Sequence, residues 1–188
     1  MTDCDGITDE ELIVRVADER ALFACLIERY EAKLRRYIKR VMPGIGDDLD
    51  DVLQDIFVKV YVNSRGFDPS LRFSSWVYRI AHNEAVSWLR KKKARLELVE
   101  LGDDDFQTFV ESVEDASDET NVRLVKDAVE RVLGEMQEKY RTVLVLKYLE
   151  GLQYEEMSDI LKMPAGTIAT HLHRAKKEFM NIYRTHHE

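Results

Sequence analysis

Apolar residues recur every three or four positions through most of this chain, and no stretch alternates apolar with polar side chains long enough to make a strand. Between residues 19 and 41 the series runs Phe23, Leu26, Ile27, Tyr30, Leu34, Tyr37, Ile38 and Val41, one face of a helix that Pro43, Gly44 and Gly46 bring to an end. Thr8, three residues before Glu11, predicts a capping box opening a short first helix through Leu12, Ile13 and Val16. The acids Asp47, Asp48, Asp50 and Asp51 suit the positive end of the next helix, which carries Val52, Ile56, Phe57, Val60 and Tyr61 and stops near Asn63. After a loop at residues 64–71, holding Gly66, Asp68 and Pro69, a long helix is predicted over 73–95 with the stripe Trp76, Val77, Ile80, Ala81, Trp88 and Leu89. The second half repeats the pattern. Val122, Val125, Val129, Val132 and Leu133 mark one helix, Val143, Leu144 and Leu149 another ending near Gly151, and helices over 154–161 and 165–183 complete it. With only 8 Gly and 3 Pro in 188 residues, breakers are scarce, and the fold class expected is all-α.

The pattern is interrupted once. Residues 100–120 hold nine acids and no base, which predicts an acidic linker between two small helical domains, with Phe106, Phe109 and Val110 as docking points. The expected division is a first domain over 1–97, a linker over 98–119 and a second domain over 120–188. Fully extended, such a segment spans at most about 70–75 Å, so the domains can act at two distant points of one partner.

No run approaches the roughly 18 apolar residues of a membrane span, and the acidic start (Asp3, Asp5, Asp9, Glu10, Glu11) is unlike a signal peptide. A cytoplasmic protein without membrane insertion is expected. Cys4 and Cys25 lack partners at metal-ligand spacing, so the expectation is a buried Cys25, a free Cys4 in the tail, and neither a disulfide framework nor a zinc site. His171 and His173, two apart, point to different sides of a helix and make a poor metal pair. The carboxylates between Asp47 and Asp55 read more simply as a helix cap and an acidic contact face than as a Mg²⁺ or acid–base site. Without a nucleophile–base pair or a phosphate-cradling glycine loop, the chain is expected to be no enzyme and to need no metal or cofactor.

The net charge of −8 argues against nucleic-acid binding only as a sum. Residues 72–95 carry seven bases (Arg72, Arg79, Arg90, Lys91, Lys92, Lys93, Arg95) against the single acid Glu84. Such clustering is what phosphate binding needs, since affinity arises largely from counterion release. A solvated helix end whose cations suit the macrodipole is the simpler alternative. Trp76 and Trp88 can stack on bases but sit at core spacing, and Asn83 lies toward the exposed side, where it can bond a base edge. Residues 154–161, then Lys162-Met163-Pro164, then a helix opened by Ala165-Gly166-Thr167, have the pattern of a helix-turn-helix. Met157, Ile160 and Leu161 would pack on Ile168, Leu172 and Ala175. That leaves Thr167, Thr170, His171 and Arg174 exposed, with Lys176 and Lys177 beyond. A plain helical hairpin is the alternative for this segment.

Three stretches together resemble one family. Asp51-Val52-Leu53-Gln54-Asp55-Ile56-Phe57 looks like the helix by which bacterial sigma factors grip the clamp helices of the RNA polymerase β′ subunit. Phe73-Ser74-Ser75-Trp76-Val77-Tyr78-Arg79-Ile80-Ala81-His82-Asn83 is similar to the segment that opens and reads the −10 element. Tyr154-Glu155-Glu156-Met157, with Gly166-Thr167-Ile168 and Leu172-His173-Arg174-Ala175-Lys176, resembles the −35-reading helix-turn-helix. The short N-terminus and direct linker resemble the extracytoplasmic-function group of the sigma-70 family, which keeps only sigma domains 2 and 4.

The resemblance implies core-polymerase contacts at Asp51, Leu53, Gln54, Asp55 and Phe57, and −10 contacts at Arg65, Phe67, Arg72, Arg79, Asn83, Arg90, Lys91 and Lys92. It implies −35 contacts at Thr167, Thr170, His171, Arg174 and Lys177. Residues 65–72 would shape a pocket for an unstacked base that Asn83 bonds, the linker would run through polymerase channels, and domain 4 would dock on the β flap. An anti-sigma factor is a further partner the resemblance implies. The chain departs from the family at Ser87, where Asp is common, at Lys162, where the turn often has Gly, and at Ala169 and His171, where bases are common. The last pair bears on which −35 sequence is read. Two other readings stand beside this one: an autonomous helix-turn-helix regulator binding duplex DNA alone, and a helical adaptor binding only proteins.

Overall fold

A computed structural model of the chain describes residues 4, 6–93 and 119–186, and among these all regular structure is helical. The predicted linker with Phe106, Phe109 and Val110 lies outside the described residues, as do the side chain of Lys92 and all of Arg95. The chain separates into two compact units, one holding most of the residues before the linker and one most of those after it.

The first unit comprises α1 (Asp9–Arg15), α2 (Phe23–Val41), α3 (Leu49–Val62) and α4 (Phe73–Lys93). The capping box is present: Glu11 N–H donates to Thr8 Oγ1 (3.2 Å) and Thr8 N–H to Glu11 Oε2 (3.0 Å). Of the α2 stripe, Leu26, Tyr30, Leu34, Tyr37, Ile38 and Val41 are buried, whereas Phe23 and Ile27 sit half-buried at its margin. α3 packs on α4 through Leu49, Val52, Leu53, Ile56 and Val60 on one side and Val77, Ala81 and Ala85 on the other. Leu34, Tyr37, Ile38, Ile56 and Val77 are within 1% of complete burial, so truncating Leu34, Ile38 or Ile56 to alanine removes about 2–5 kcal/mol of stability.

The N-terminal segment is no tail. Cys4 is paired with Cys25 at a Cα separation of 6.3 Å, so the expectation of a free Cys4 is corrected. The physical reason is that Arg29 reaches back from α2, donating to the Cys4 and Ile7 carbonyls at 2.7 and 2.9 Å and so drawing the segment onto the helix.

The second unit comprises α5 (Glu119–Glu135), α6 (Glu138–Leu144), α7 (Tyr154–Leu161) and α8 (Ala165–Thr185). After α6 the helix continues as a π turn over Val145–Leu149, and Gly151, at φ 70°, reverses the chain. The join between α5 and α6 is held by two buried charges. Arg141 Nη1 donates to the Leu133 and Met136 carbonyls at 3.1 and 3.0 Å, and Glu178 on α8 accepts the Gln137 N–H at 2.5 Å. Burial lowers the Arg141 guanidinium to about 10.

Candidate functional site

The first unit presents two separate surfaces. On α3 the exposed residues Asp51, Gln54, Asp55, Val58 and Val62 follow helical spacing and form one stripe, acidic at its start and apolar at its end. Val58 is 52% and Val62 70% exposed, unusual for valine in a helix that buries five other apolar side chains. Neither was singled out from sequence. Their signal was present, because both fall out of phase with the buried series. Phe57 is half-buried, edge-on to Phe23 at 6.4 Å. Leu53, also expected as a contact, is 3% exposed and lies beneath the stripe.

The second surface lies along α4. Arg79, Asn83, Ser87 and Arg90 fall on one helix face, with Asn83, Ser87, Arg90 and neighbouring Lys91 exposed and Arg79 half-buried. The one acid in this helix, Glu84, is ion-paired with Lys59 of α3, so it does not oppose the basic face. Trp76 is buried as its spacing indicated, and Trp88 is half-buried.

The loop before α4 is shaped by an aromatic anchor. Phe67 packs edge-on to Trp76 (5.3 Å) and near Phe73 (5.9 Å) and is 6% exposed. Phe67, also expected as a −10 contact, is thus held in the packing that fixes the loop. Asp68 then makes a local turn, its Oδ1 accepting the Ser70 N–H at 2.9 Å and its carbonyl the Leu71 N–H at 3.0 Å. The Ser70 N–H holds the Asp68 carboxyl below the ordinary range. Arg65, Leu71 and Arg72 are left exposed. A cleft of about 420 Å³ opens between this loop and α1, lined by Asp9, Glu10, Tyr30, Pro69, Ser70, Leu71, Arg72 and Ser74.

In the second unit, α7, the turn and α8 form the predicted helix-turn-helix. Met157 and Ile160 are buried with Ile168, Leu172 and Ala175, while Leu161 is only half-buried. Ser158 Oγ donates to the Met163 carbonyl at 2.6 Å and closes the turn, and Lys162 holds the left-handed conformation at φ 54°. On the outer face of α8, Thr167, Thr170 and Arg174 are exposed and Lys177 is half-buried. Thr170 Oγ1 donates to the Gly166 carbonyl at 2.9 Å, which leaves its lone pairs and methyl outward.

His171 differs from its expected exposure. It is half-buried with its ring edge-on to Tyr140 at 5.7 Å, and its Nδ1 is buried without a hydrogen-bond partner among the described residues. Burial, then the Lys139 and Arg174 charges, lower its pKa, so at neutral pH it is a neutral ring. Among the described residues no His, Cys, Asp or Glu side chains gather as a metal site.

A sigma-70 region 2 family model matches residues 26–95, and a sigma-70 region 4 model matches residues 126–179. The chain is 31% identical over 169 residues to the ECF RNA polymerase sigma factor SigW of Bacillus subtilis (strain 168), covering 87% of this chain and 89% of the relative. It is 30% identical over 184 residues to the ECF RNA polymerase sigma-E factor of Escherichia coli (strain K12), covering 94% and 95%. Among solved structures, CnrH in complex with the cytosolic domain of CnrY matches with TM-score 0.67 and 21% identity, over 94% of this chain and 97% of that one. The sigma factor RpoE in complex with the anti-sigma factor NepR from Bartonella quintana matches with TM-score 0.65 and 18% identity, over 86% and 96%. These structural likenesses establish the fold.

Proposed function

The chain belongs to the extracytoplasmic-function group of sigma-70 family RNA polymerase sigma factors, and from that premise we propose how its residues divide the work of promoter recognition. It is a promoter-specificity subunit that binds core RNA polymerase and directs initiation. The observation that carries this reading is the ordered pair of sigma regions, each falling mainly on its own helical unit, with a helix-turn-helix in the region 4 match.

The acidic and apolar stripe on α3 is assigned to the polymerase: Asp51, Gln54 and Asp55 as polar contacts, with Phe57, Val58 and Val62 adding apolar area. A patch of this kind gains affinity by losing water from the valines, while the carboxylates fix orientation against a basic partner. We assign Arg65 and Arg72 of the loop, with Arg79, Asn83, Arg90, Lys91 and Lys92 of α4, to the −10 element. There Asn83 bonds a base edge and the cations hold phosphates. Unstacking each step costs a few kcal/mol, so captured bases and phosphate contacts must together exceed that cost.

On α8 we assign Thr167, Thr170, Arg174 and Lys177 to the −35 element. His171, neutral and leaning on Tyr140, contributes a ring edge rather than a charge. Division into domain 2 over 1–97, an acidic linker over 98–119 and domain 4 over 120–188, with docking on the β′ clamp helices and β flap, belongs to the same proposal. So do the cytoplasmic location and the non-enzymatic role. Among the described residues no helix is long and apolar enough to cross a membrane. Of two structural relatives, one is in complex with the cytosolic domain of CnrY and the other with the anti-sigma factor NepR, and we propose that this chain too has an anti-sigma partner.

The test is ordered binding. Fluorescently labelled protein titrated with core polymerase should bind tightly, and promoter DNA should be opened only by the two together. Specific duplex binding by the protein alone, without affinity for core, would instead make it an autonomous helix-turn-helix regulator.

A further inference from the structure

The proposed −10 surface lies on α4 and its preceding loop, and the structure brings a third element against both. Glu10 of α1 accepts the backbone N–H of Phe73, the first residue of α4, at 2.7 Å. The early N–H groups of a helix have no partner within it, and a carboxylate there both satisfies one and suits the positive end of the helix. The bond therefore lands where the loop over 65–72 becomes α4. Glu10 also lines the cleft that opens beside Pro69, Ser70, Leu71 and Arg72.

α1 is rigidly placed for this task. Asp9, its first residue, accepts from Arg29 Nη1 at 2.5 Å and from the Tyr30 hydroxyl at 2.6 Å. Tyr30 itself packs edge-on to Phe73 at 5.2 Å. Leu12 and Ile13 are fully buried, and α1 packs on α4. The helix is thus tied to α2 by one carboxylate and to the start of α4 by the next.

We infer that Glu10 is a positioning residue for −10 recognition: by capping the first turn of α4 it fixes the loop over 65–72 relative to the helix face carrying Asn83, so α1 is part of the promoter-reading apparatus. This rests on the sigma-factor reading. Glu10 acts through Phe73 and the loop, and its effect falls on discrimination among −10 bases rather than on polymerase binding.

The experiment uses full-length protein with core polymerase at a promoter mapped for the wild type, with single-base substitutions across its −10 element. Glu10→Ala should bind core as the wild type does, yet lose discrimination at one or two −10 positions on the order of tenfold, the factor that loss of a helix cap carries. Glu10→Gln keeps an oxygen that accepts the Phe73 N–H and should restore discrimination. Glu10→Asp, too short to reach, should behave as Glu10→Ala. Wild-type discrimination in both Glu10→Ala and Glu10→Asp overturns the inference. Failure of Glu10→Gln to rescue also overturns it, because the charge and not the cap would then be what matters. Loss of core binding in Glu10→Ala and Glu10→Asp makes Glu10 merely structural and equally overturns it. If the wild type starts no transcription at all, the sigma reading itself fails, and that is separable because it needs no Glu10 variant.

Discussion

Asn83 and His82 are neighbours on α4 with opposite surroundings. Asn83 is exposed on the basic face, whereas His82 is half-buried, with its Nδ1 3.3 Å from the Tyr37 hydroxyl. Asn83→Ala is expected to lower open-complex yield by about tenfold, the worth of a specific base contact, while leaving core affinity intact; unchanged yield would remove Asn83 from the −10 site. His82 makes a prediction about stability. Burial lowers its pKa from 6.5 to about 4, so between these values the unfolded chain binds a proton that the folded chain refuses. The stabilisation is complete above the unfolded value and drains away as pH falls through the window, by at most about 3 kcal/mol. Urea unfolding at about pH 7.5 and about pH 4.5 should show this loss, and His82→Phe should reduce it. An equal pH dependence in both proteins would assign the loss elsewhere. At this scale the sequence was a partial guide. Asn83 and Arg174 were legible because exposed polar residues declare themselves by phase. The burial of Leu53 and Phe67 was not legible, because they share a motif with exposed residues. Arg141 and Glu178 could not be foreseen as buried, since only tertiary packing supplies the carbonyls and N–H that satisfy them.

Helix boundaries were legible wherever capping residues or glycines punctuate a regular stripe, as in α2, α7 and α8. The π turn over Val145–Leu149 was not, because its shifted register leaves no mark on apolar spacing. The partnership of α1 with α4 was equally hidden, since Glu10 and Phe73 are 63 positions apart. The turn between α7 and α8 carries its own prediction. Lys162 sits at φ 54°, where a side chain costs about 1–2 kcal/mol and glycine costs none, though glycine's looser unfolded chain takes back about 0.5–1 kcal/mol. Lys162→Gly should therefore slow amide exchange across α7 and α8 by the equivalent of about 0.5–1 kcal/mol; faster exchange would mean the lysine is not strained. Its exposed ion pair with Asp159, at 4.0 Å, adds little to lose. On α8 the two kinds of contact separate by salt. Lys177→Ala should weaken −35 binding on all sequences alike and reduce the salt slope by about one, whereas Arg174→Ala should relax preference at a single position. On α3, Val62→Asp places a charge on a side chain already 70% exposed, so folding should be unaffected while core affinity falls about tenfold. Unchanged affinity would take the valines out of the polymerase face.

For the whole molecule, a net charge of −8 coexists with DNA binding because the charge is divided by surface: acids on α3 and in residues 100–120, bases on α4 and α8. Free protein therefore carries a long-range repulsion toward duplex DNA that core polymerase must offset, which is why specificity is expected to emerge only in the assembled enzyme. The most direct measurement is transcription from fragmented genomic DNA of the source organism by purified core polymerase, with and without this protein, with start sites mapped. The account predicts new starts that depend on the protein and share two upstream elements, one near −10 and one near −35. The absence of both core binding and protein-dependent starts would contradict it.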